Sequence, residues 1–365
     1  MSRDALQKHL LTLLEDYKDF NSSPIETQQI ATALEFSKQV SRGYPCVYKA
    51  YEKVVDGSGK ASTWIDPSLL EFPAMFWTEK DLISLVNDTK VEVAVTPNGR
   101  ADDIEQVDGE PEPVFLSPAT VEMTMSELLA KLARSTNTLE TRETASTPVY
   151  YLQSQNSNLT TTPLFRILKH VPENFSFAQP VLSEPEAINI WIGDERSVTS
   201  THRDPYENLY LVLKGSKTFT LYPPVDELTL PTKSVRTGRY NYDEQSQKFS
   251  TILDEAESPD NPPPRIPWVS IDPLRARQEL VAQYPLYDHS TPREVVVREG
   301  EILYLPSGWY HHVQQQAGAW DESGRRAPCI AVNYWFDMDY EGEKYMMRQL
   351  VGRLAAELRG ADHAG

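Results

Sequence analysis

Leu6, Leu10, Leu13 and Leu14 recur at helical spacing over residues 3–20, so the chain opens on an amphipathic helix. Ser23-Pro24-Ile25-Glu26 reads as the start of a second, with Ser23 at N-cap, Pro24 at N1 and Glu26 at N3. That helix should run from about 24 to 41 and stop near Gly43. Residues 47–53 then read as a first strand. Thr78 is placed to cap a helix over 79–86, and Ser126 one over 127–133. Between them, Val91-Glu-Val-Ala-Val-Thr96 alternates as a strand does. The acidic stretch 98–113 reads as a loop.

The second half changes period. Short β-like runs recur at 149–153, 187–192, 208–213, 217–222, 294–298, 301–305, 312–315 and 330–336. Lys214-Gly215-Ser216 supplies a hairpin turn between two of them. Many short strands with turn punctuation predict a sandwich or barrel with flanking helices. Residues 225–293, rich in Pro and polar side chains, read as an excursion from it, and 316–328 as a lengthened hairpin loop. The chain closes on a helix over about 341–359, in which Met346, Leu350, Val351, Leu354 and Leu358 share a face. It is expected to pack on the barrel or pair two subunits.

Composition narrows the function. The 365 residues include 35 Lys and Arg against 53 Asp and Glu, a net charge of −18. That acidity argues against non-specific nucleic-acid or anionic-membrane binding and leaves basic proteins or peptides as partners. Two cysteines, Cys46 and Cys329, cannot build a disulfide framework or a thiolate zinc site, and fit a reducing compartment. No apolar run approaches a membrane helix, and the N-terminus lacks the apolar core of a secretory signal. A cytoplasmic or nuclear protein is the expectation.

The candidate chemistry sits in two segments. In Thr199-Ser-Thr-His202-Arg-Asp204, His202 and Asp204 are two apart, which on a strand turns both to one face. Downstream, Gly300-Glu-Ile-Leu-Tyr-Leu-Pro-Ser-Gly-Trp-Tyr-His311-His312-Val313 brings a strand and a tight turn to a pair of histidines. The parity of Leu303, Leu305, Trp309 and Val313 favours His311 as the inward one. Two histidines and one carboxylate make the facial set, with open positions, of non-haem Fe(II) oxygenases. A plain aromatic-lined core edge is the competing reading for His311 and His312.

These segments, with Asn189-Ile-Trp-Ile-Gly193, Tyr206-Glu-Asn208, Lys217 and Val332-Asn-Tyr-Trp335, resemble the two metal halves of a jumonji-C domain over roughly residues 45–345. The likeness is to the small protein hydroxylases of that family, including those that hydroxylate lysine in GTPases, rather than to its multidomain histone demethylases. It implies a double-stranded β-helix, or cupin-like jelly roll. The expected organisation is a helical region at 1–44, a catalytic domain at 45–340, and a C-terminal helix and tail at 341–365. The resemblance implies Fe(II) on His202, Asp204 and His311, 2-oxoglutarate as cosubstrate and O2 as oxidant. It implies Lys217 on the far carboxylate of 2-oxoglutarate, with hydroxyls from Thr199 and Tyr151, Tyr150 being an adjacent competitor for the last. Lys214 is expected to be solvated. Asn208 and Asn333 would lie beside the iron-bound carboxylate, and Trp191, Tyr210 and Trp335 would be pocket wall or core. Related hydroxylases dimerise through C-terminal helices, which implies a homodimer here.

The implied reaction is oxidative decarboxylation of 2-oxoglutarate coupled to hydroxylation of a side chain, lysine first, in a protein substrate. Acidic residues near the motifs, Asp194, Glu195, Glu207, Asp337 and Asp339, are candidates to receive a cationic side chain. Demethylation of N-methyl-lysine, or hydroxylation of another residue, is the second enzymatic reading. A non-catalytic cupin-like binding module and a zinc cupin are the readings from other classes.

Overall fold

The computed structural model describes residues 2–55, 61–65, 72–134, 147–153, 157–256, 262–321 and 323–359. The last residues of the expected tail, 360–365, lie outside the described residues. Two sheets make the core. The major sheet has six strands in the order Thr27–Gln29, Cys46–Lys49, Glu301–Leu305, Tyr206–Lys214, Cys329–Asp337 and Ala187–Gly193. The minor sheet has five, in the order Arg293–Arg298, Ser216–Tyr222, Tyr310–Gln316, Val198–Arg203 and Arg100–Ala101. Non-sequential neighbours joined almost entirely antiparallel are what a jelly roll requires, and the cupin-like expectation is met.

The major sheet is buried on both faces. Tyr210, Val212, Leu303, Leu305, Trp191 and Ala331 point between the sheets and meet Phe219, Leu221, Val297 and Val313 of the minor sheet. The alternate residues Leu209, Leu211, Leu213, Ile302, Tyr304, Val332 and Tyr334 point outward, into a second core with Phe36, Leu82, Leu128 and Phe177 from the helical and looped segments. That double burial is why these strands read as continuous apolar runs rather than as an alternation.

Several expectations are corrected. The second helix spans Ala33–Arg42, not 24–41, and its cap is Thr32, whose hydroxyl and Glu35 form a reciprocal capping box. Ser23 caps nothing, because Thr27–Gln29 is drawn into parallel pairing with Val47–Lys49. The helix does stop at Gly43, which adopts φ 63°. Thr78 caps Glu79–Val86 as expected, but Met125–Arg134 is capped by Thr124 with Glu127, not by Ser126. The stretch 98–113 is not wholly loop: Arg100–Ala101 joins the minor sheet beside Val198–Thr199, and Asp103–Glu105 pairs with Val114–Ser117.

The segment 225–293 is more than an excursion. Thr232–Asp243 pairs with Lys248–Leu253, with Arg265–Val269 and with Val114–Ser117, building a separate sheet over the cavity mouth. The lengthened loop also folds on itself, as Gly318–Ala319 against Arg326–Ala327. The C-terminal helix, Gly342–Arg359, packs on the first helix through Leu6, Leu10, Leu228, Ala355 and Leu358. Val351 and Leu354 join that cluster, whereas Met346 and Leu350 from the same expected face stand exposed.

Candidate metal centre

Strand register assembles the site. His202 lies opposite His311, and His311 opposite Leu221; one row along, Thr199, Val313 and Phe219 align; one row further, Gln315 faces Lys217. All these side chains share the inner face, since side chains two apart on a strand share a side. Between Thr199 and His202 the register slips, so the chain bulges just before His202. Asp204 stands immediately past the strand end.

His202, Asp204 and His311 converge, with one ligand atom of each lying within 4.8 Å of the others. His202 Nε2 is 3.9 Å from one oxygen of Asp204, and His311 Nε2 is 3.7 Å from the other. Those separations are too long for hydrogen bonds and leave room for an ion among the three. Each imidazole is oriented from behind: Nδ1 of His202 donates to the Ser200 carbonyl at 2.8 Å, and Nδ1 of His311 to that of Trp309 at 3.2 Å. Both Nε2 lone pairs are thereby left free to ligate. Burial, then the neighbouring His202, pushes the His311 pKa down to about 4, against the opposing pull of Asp204, so its ring is neutral.

The turn that delivers His311 is braced on two sides. Gly308 has φ 76°, a conformation that favours glycine. The Trp309 indole donates to the Gly43 carbonyl at 3.0 Å, and Arg348 of the C-terminal helix donates to both the carbonyl and the hydroxyl of Ser307 at 2.9 Å. His312 points to the opposite face, 3.9 Å from Asp272.

Lys217 lies at the sealed end, 1% exposed. Its ammonium donates to Tyr151 Oη at 3.0 Å and Gln315 Oε1 at 2.9 Å. Both partners are neutral. Burial pushes the phenols of Tyr151 and Tyr210 above their usual range and the Cys329 thiol up to about 11, so none of them supplies a counter-charge. A buried cation without an anion is costly, and the space beside it is where a carboxylate would settle. Gly193 makes the nest possible: a Cβ there would fall 2.4 Å from Gln315 Nε2 and 2.6 Å from the Tyr151 ring. Tyr150 faces away, 3.3 Å from Lys131 and 3.4 Å from Tyr242.

Asn333 and Asn208 are buried together. The Trp191 indole donates to Asn333 Oδ1 at 2.8 Å, and Asn333 Nδ2 donates to Asn208 Oδ1 at 3.2 Å. Trp335 stacks on Tyr206 at 5.2 Å, at the end of the same sheet. Lys214 is not solvated; it is buried and paired with Glu299 at 3.1 Å. Three of the proposed cation receivers are also engaged internally. Asp194 is paired with Arg196 at 2.8 Å and Glu195 with Arg326, while Glu207 accepts from Tyr304 at 2.7 Å and Ser307 at 2.8 Å.

A cavity of about 1550 Å³ opens in front of His202 and Asp204. His202, Asp204 and Tyr310 form its floor, while Phe115, Trp268 and Arg265 come from the separate sheet. The Trp268 indole lies parallel to the His202 ring, 2° between planes and 6.3 Å between centroids. Sequence reading missed this wall, since nothing local to Pro267-Trp268 links it to a histidine 66 residues upstream.

Comparison with known proteins yields consistent matches. A family model described as a cupin-like domain matches residues 33–342. The chain is 36% identical over 290 residues to the human bifunctional peptidase and (3S)-lysyl hydroxylase JMJD7, covering 79% of this chain and 80% of that protein. It is 31% identical over 339 residues to JmjC domain-containing protein E of Dictyostelium discoideum, covering 90% and 87%. It is 32% identical over 307 residues to the lysine-specific demethylase JMJ32 of Arabidopsis thaliana, covering 83% and 78%.

Proposed function

The chain belongs to the jumonji-C family of cupin-like oxygenases, and from that premise we propose that it is an Fe(II)- and 2-oxoglutarate-dependent hydroxylase of a lysine side chain in a protein substrate. The observation that carries this reading is one inner sheet face bearing both a His-Asp-His convergence and a buried lysine with no carboxylate partner among the described residues. Two imidazoles and one carboxylate suit iron with open positions, and with only three protein ligands they do not close a structural zinc site.

His202, Asp204 and His311 would hold the metal, their orientation set by the carbonyls of Ser200 and Trp309. Lys217 would neutralise the far carboxylate of 2-oxoglutarate, with Tyr151 as a hydroxyl donor. Thr199, in the row between Lys217 and the metal ligands, would be a second. Asn333, fixed as an acceptor by Trp191, turns its amide onto Asn208 and leaves the Asn208 nitrogen as a donor toward the interior. Bound in this setting, iron and 2-oxoglutarate supply the O2-dependent oxidation of an unactivated C–H bond. The chain's own part is binding, orientation and exclusion of water at the sealed end.

The test is succinate formation from 2-oxoglutarate with Fe(II) and lysine-bearing peptides, with mass spectrometry of the peptide. One added oxygen is expected. Well-reconstituted protein that forms no succinate under any condition rules the oxygenase out. Demethylation of N-methyl-lysine is the second reading, supported by the resemblance to JMJ32; loss of a methyl group from a methylated peptide, without a stable oxygen adduct on the unmethylated one, would favour it.

A further inference from the structure

The cavity before the triad is lined by four carboxylates, and three already have partners. Asp204 belongs to the triad. Glu227 is paired with Arg203, and with Arg359 at 3.6 Å. Glu112 is paired with Arg265 at 3.0 Å. The fourth, Asp102, has no lysine or arginine partner among the described residues; its Oδ2 accepts from the neutral Gln153 Nε2 at 3.3 Å. Lys233, a cation on the same lining, sits over the Tyr284 ring at 5.7 Å.

Asp102 is also held in an unusual conformation. Its φ is 56°, in the left-handed region that few non-glycine residues occupy. Its carbonyl accepts from the Ser200 hydroxyl at 2.6 Å, and the Ser200 Oγ in turn accepts from the Trp268 indole at 3.1 Å. One hydroxyl on the metal-bearing strand therefore fixes both a carboxylate and an aromatic wall. Phe115 extends the wall, its ring 4.6 Å from that of Trp268. Backbone held out of its preferred basin beside a ligand site is a recurrent functional device. The Asp102 side chain is half-buried in the cavity lining. A carboxylate in that setting gains most from a cation brought in by a ligand.

We propose that Asp102 and Trp268, with Phe115, form the subsite that selects a cationic substrate side chain, the ammonium at Asp102 and the methylene stem along the indole. This rests on the oxygenase reading and deepens it. Anchoring the charged end leaves the stem carbons to cross before the triad, so the subsite selects lysine over an uncharged residue of the same length. An aromatic face suits both parts of such a side chain, apolar stem and cation alike.

Two measurements on the full chain test it. In the first, n-butylammonium and n-butanol are titrated into the protein while the Trp268 indole N–H is followed by NMR, assigned with Trp268→Phe. A saturable shift with the ammonium alone, absent in Asp102→Asn, is expected. Equal response to butanol, or an unchanged response in Asp102→Asn, overturns the proposal. Asparagine tolerates left-handed φ and can still bond to Gln153, so that variant keeps the local backbone. In the second, Fe(II)-loaded enzyme receives peptide pools with a central lysine or norleucine. Preference for lysine is expected, with a rise in peptide KM of about tenfold or more in Asp102→Asn, the loss of a charged contact, and no matching loss of affinity for 2-oxoglutarate. Oxidation of norleucine as efficient as that of lysine overturns it. Protein that makes no succinate at all defeats the oxygenase reading, and the indole titration, which needs no turnover, still decides the subsite.

Discussion

At one end of the minor sheet's inner face, His202, Asp204 and His311 meet at the floor of a cavity; two rows along the ladder, Gln315 and its cross-strand partner Lys217 lie sealed from solvent. The two ends are built from the same ladder but have opposite character. The open end presents converging electron pairs, which suit a cation. The sealed end presents an ammonium whose partners among the described residues are neutral, which suits an anion. A sheet that carries both within two rows prepares two groups to be bound side by side. The sealed end bears the higher cost in the empty protein, because water cannot screen its charge.

Substitutions at the two ends should therefore behave differently, and the largest effect belongs to the open end. Asp204→Ala removes the carboxylate from the triad and should abolish turnover while leaving the fold intact, read by succinate release and circular dichroism. Retained turnover would move the metal elsewhere. Lys217→Met should weaken 2-oxoglutarate by about a hundredfold, the scale of a lost charge-assisted contact. It should also raise the melting temperature of the ligand-free protein, since a buried unpaired charge becomes an apolar side chain. A lower melting temperature would show that Tyr151 and Gln315 alone satisfy the ammonium, and the contrast between the ends would fail.

The next effect is smaller and separates the ends by pH. Unfolded, an imidazole binds its proton near pH 6.5; burial lowers the His311 pKa to about 4 in the folded protein. Across that window the unfolded chain binds more protons, so the metal-free protein loses stability as pH falls from about 6.5 toward 4, by at most about 3 kcal/mol from this group. Urea melts at a series of pH values check it, and His311→Ala should reduce that slope, the remainder coming from His312, whose pKa burial likewise lowers to about 4. The smallest is Gly193→Ala. Its methyl must displace Gln315 or Tyr151, which should cost about 1–3 kcal/mol of stability and weaken 2-oxoglutarate, with metal affinity unchanged.

The ends also differed in how they could be read. His202, Asp204 and His311 were legible because each lies in a short local pattern, and alternation alone chose His311 over His312. Lys217 stood out through the family resemblance, and its shared face with Phe219 and Leu221 agrees with an inward position. Its nest did not, because Gln315 comes from a neighbouring strand and Gly193 matters only for the room it leaves. The strand Val198–Arg203 was hidden by its polarity, and Thr232–Asp243 by its half-exposed faces. Ser23-Pro-Ile-Glu26 looked like a helix start, but pairing of Thr27–Gln29 with a strand 20 residues later holds that segment extended, and the helix begins at the Thr32 capping box instead. Asp102 sat inconspicuously in an acidic stretch. Only the three-dimensional pairing of the other cavity carboxylates singles it out.

The first and last helices meet, with Leu6 and Leu10 against Ala355 and Leu358, and Arg348 of the last helix clasps the turn before His311. During synthesis the strands that carry His202 and His311 emerge before that clasp can form. The turn at Ser307 is thus secured by a contact spanning about 40 residues, while the first helix waits for a partner some 350 residues away. Contacts so distant in sequence slow folding. They also make ligand geometry a late event, so that a nascent or prematurely terminated chain holds the donor residues without the brace that aligns them.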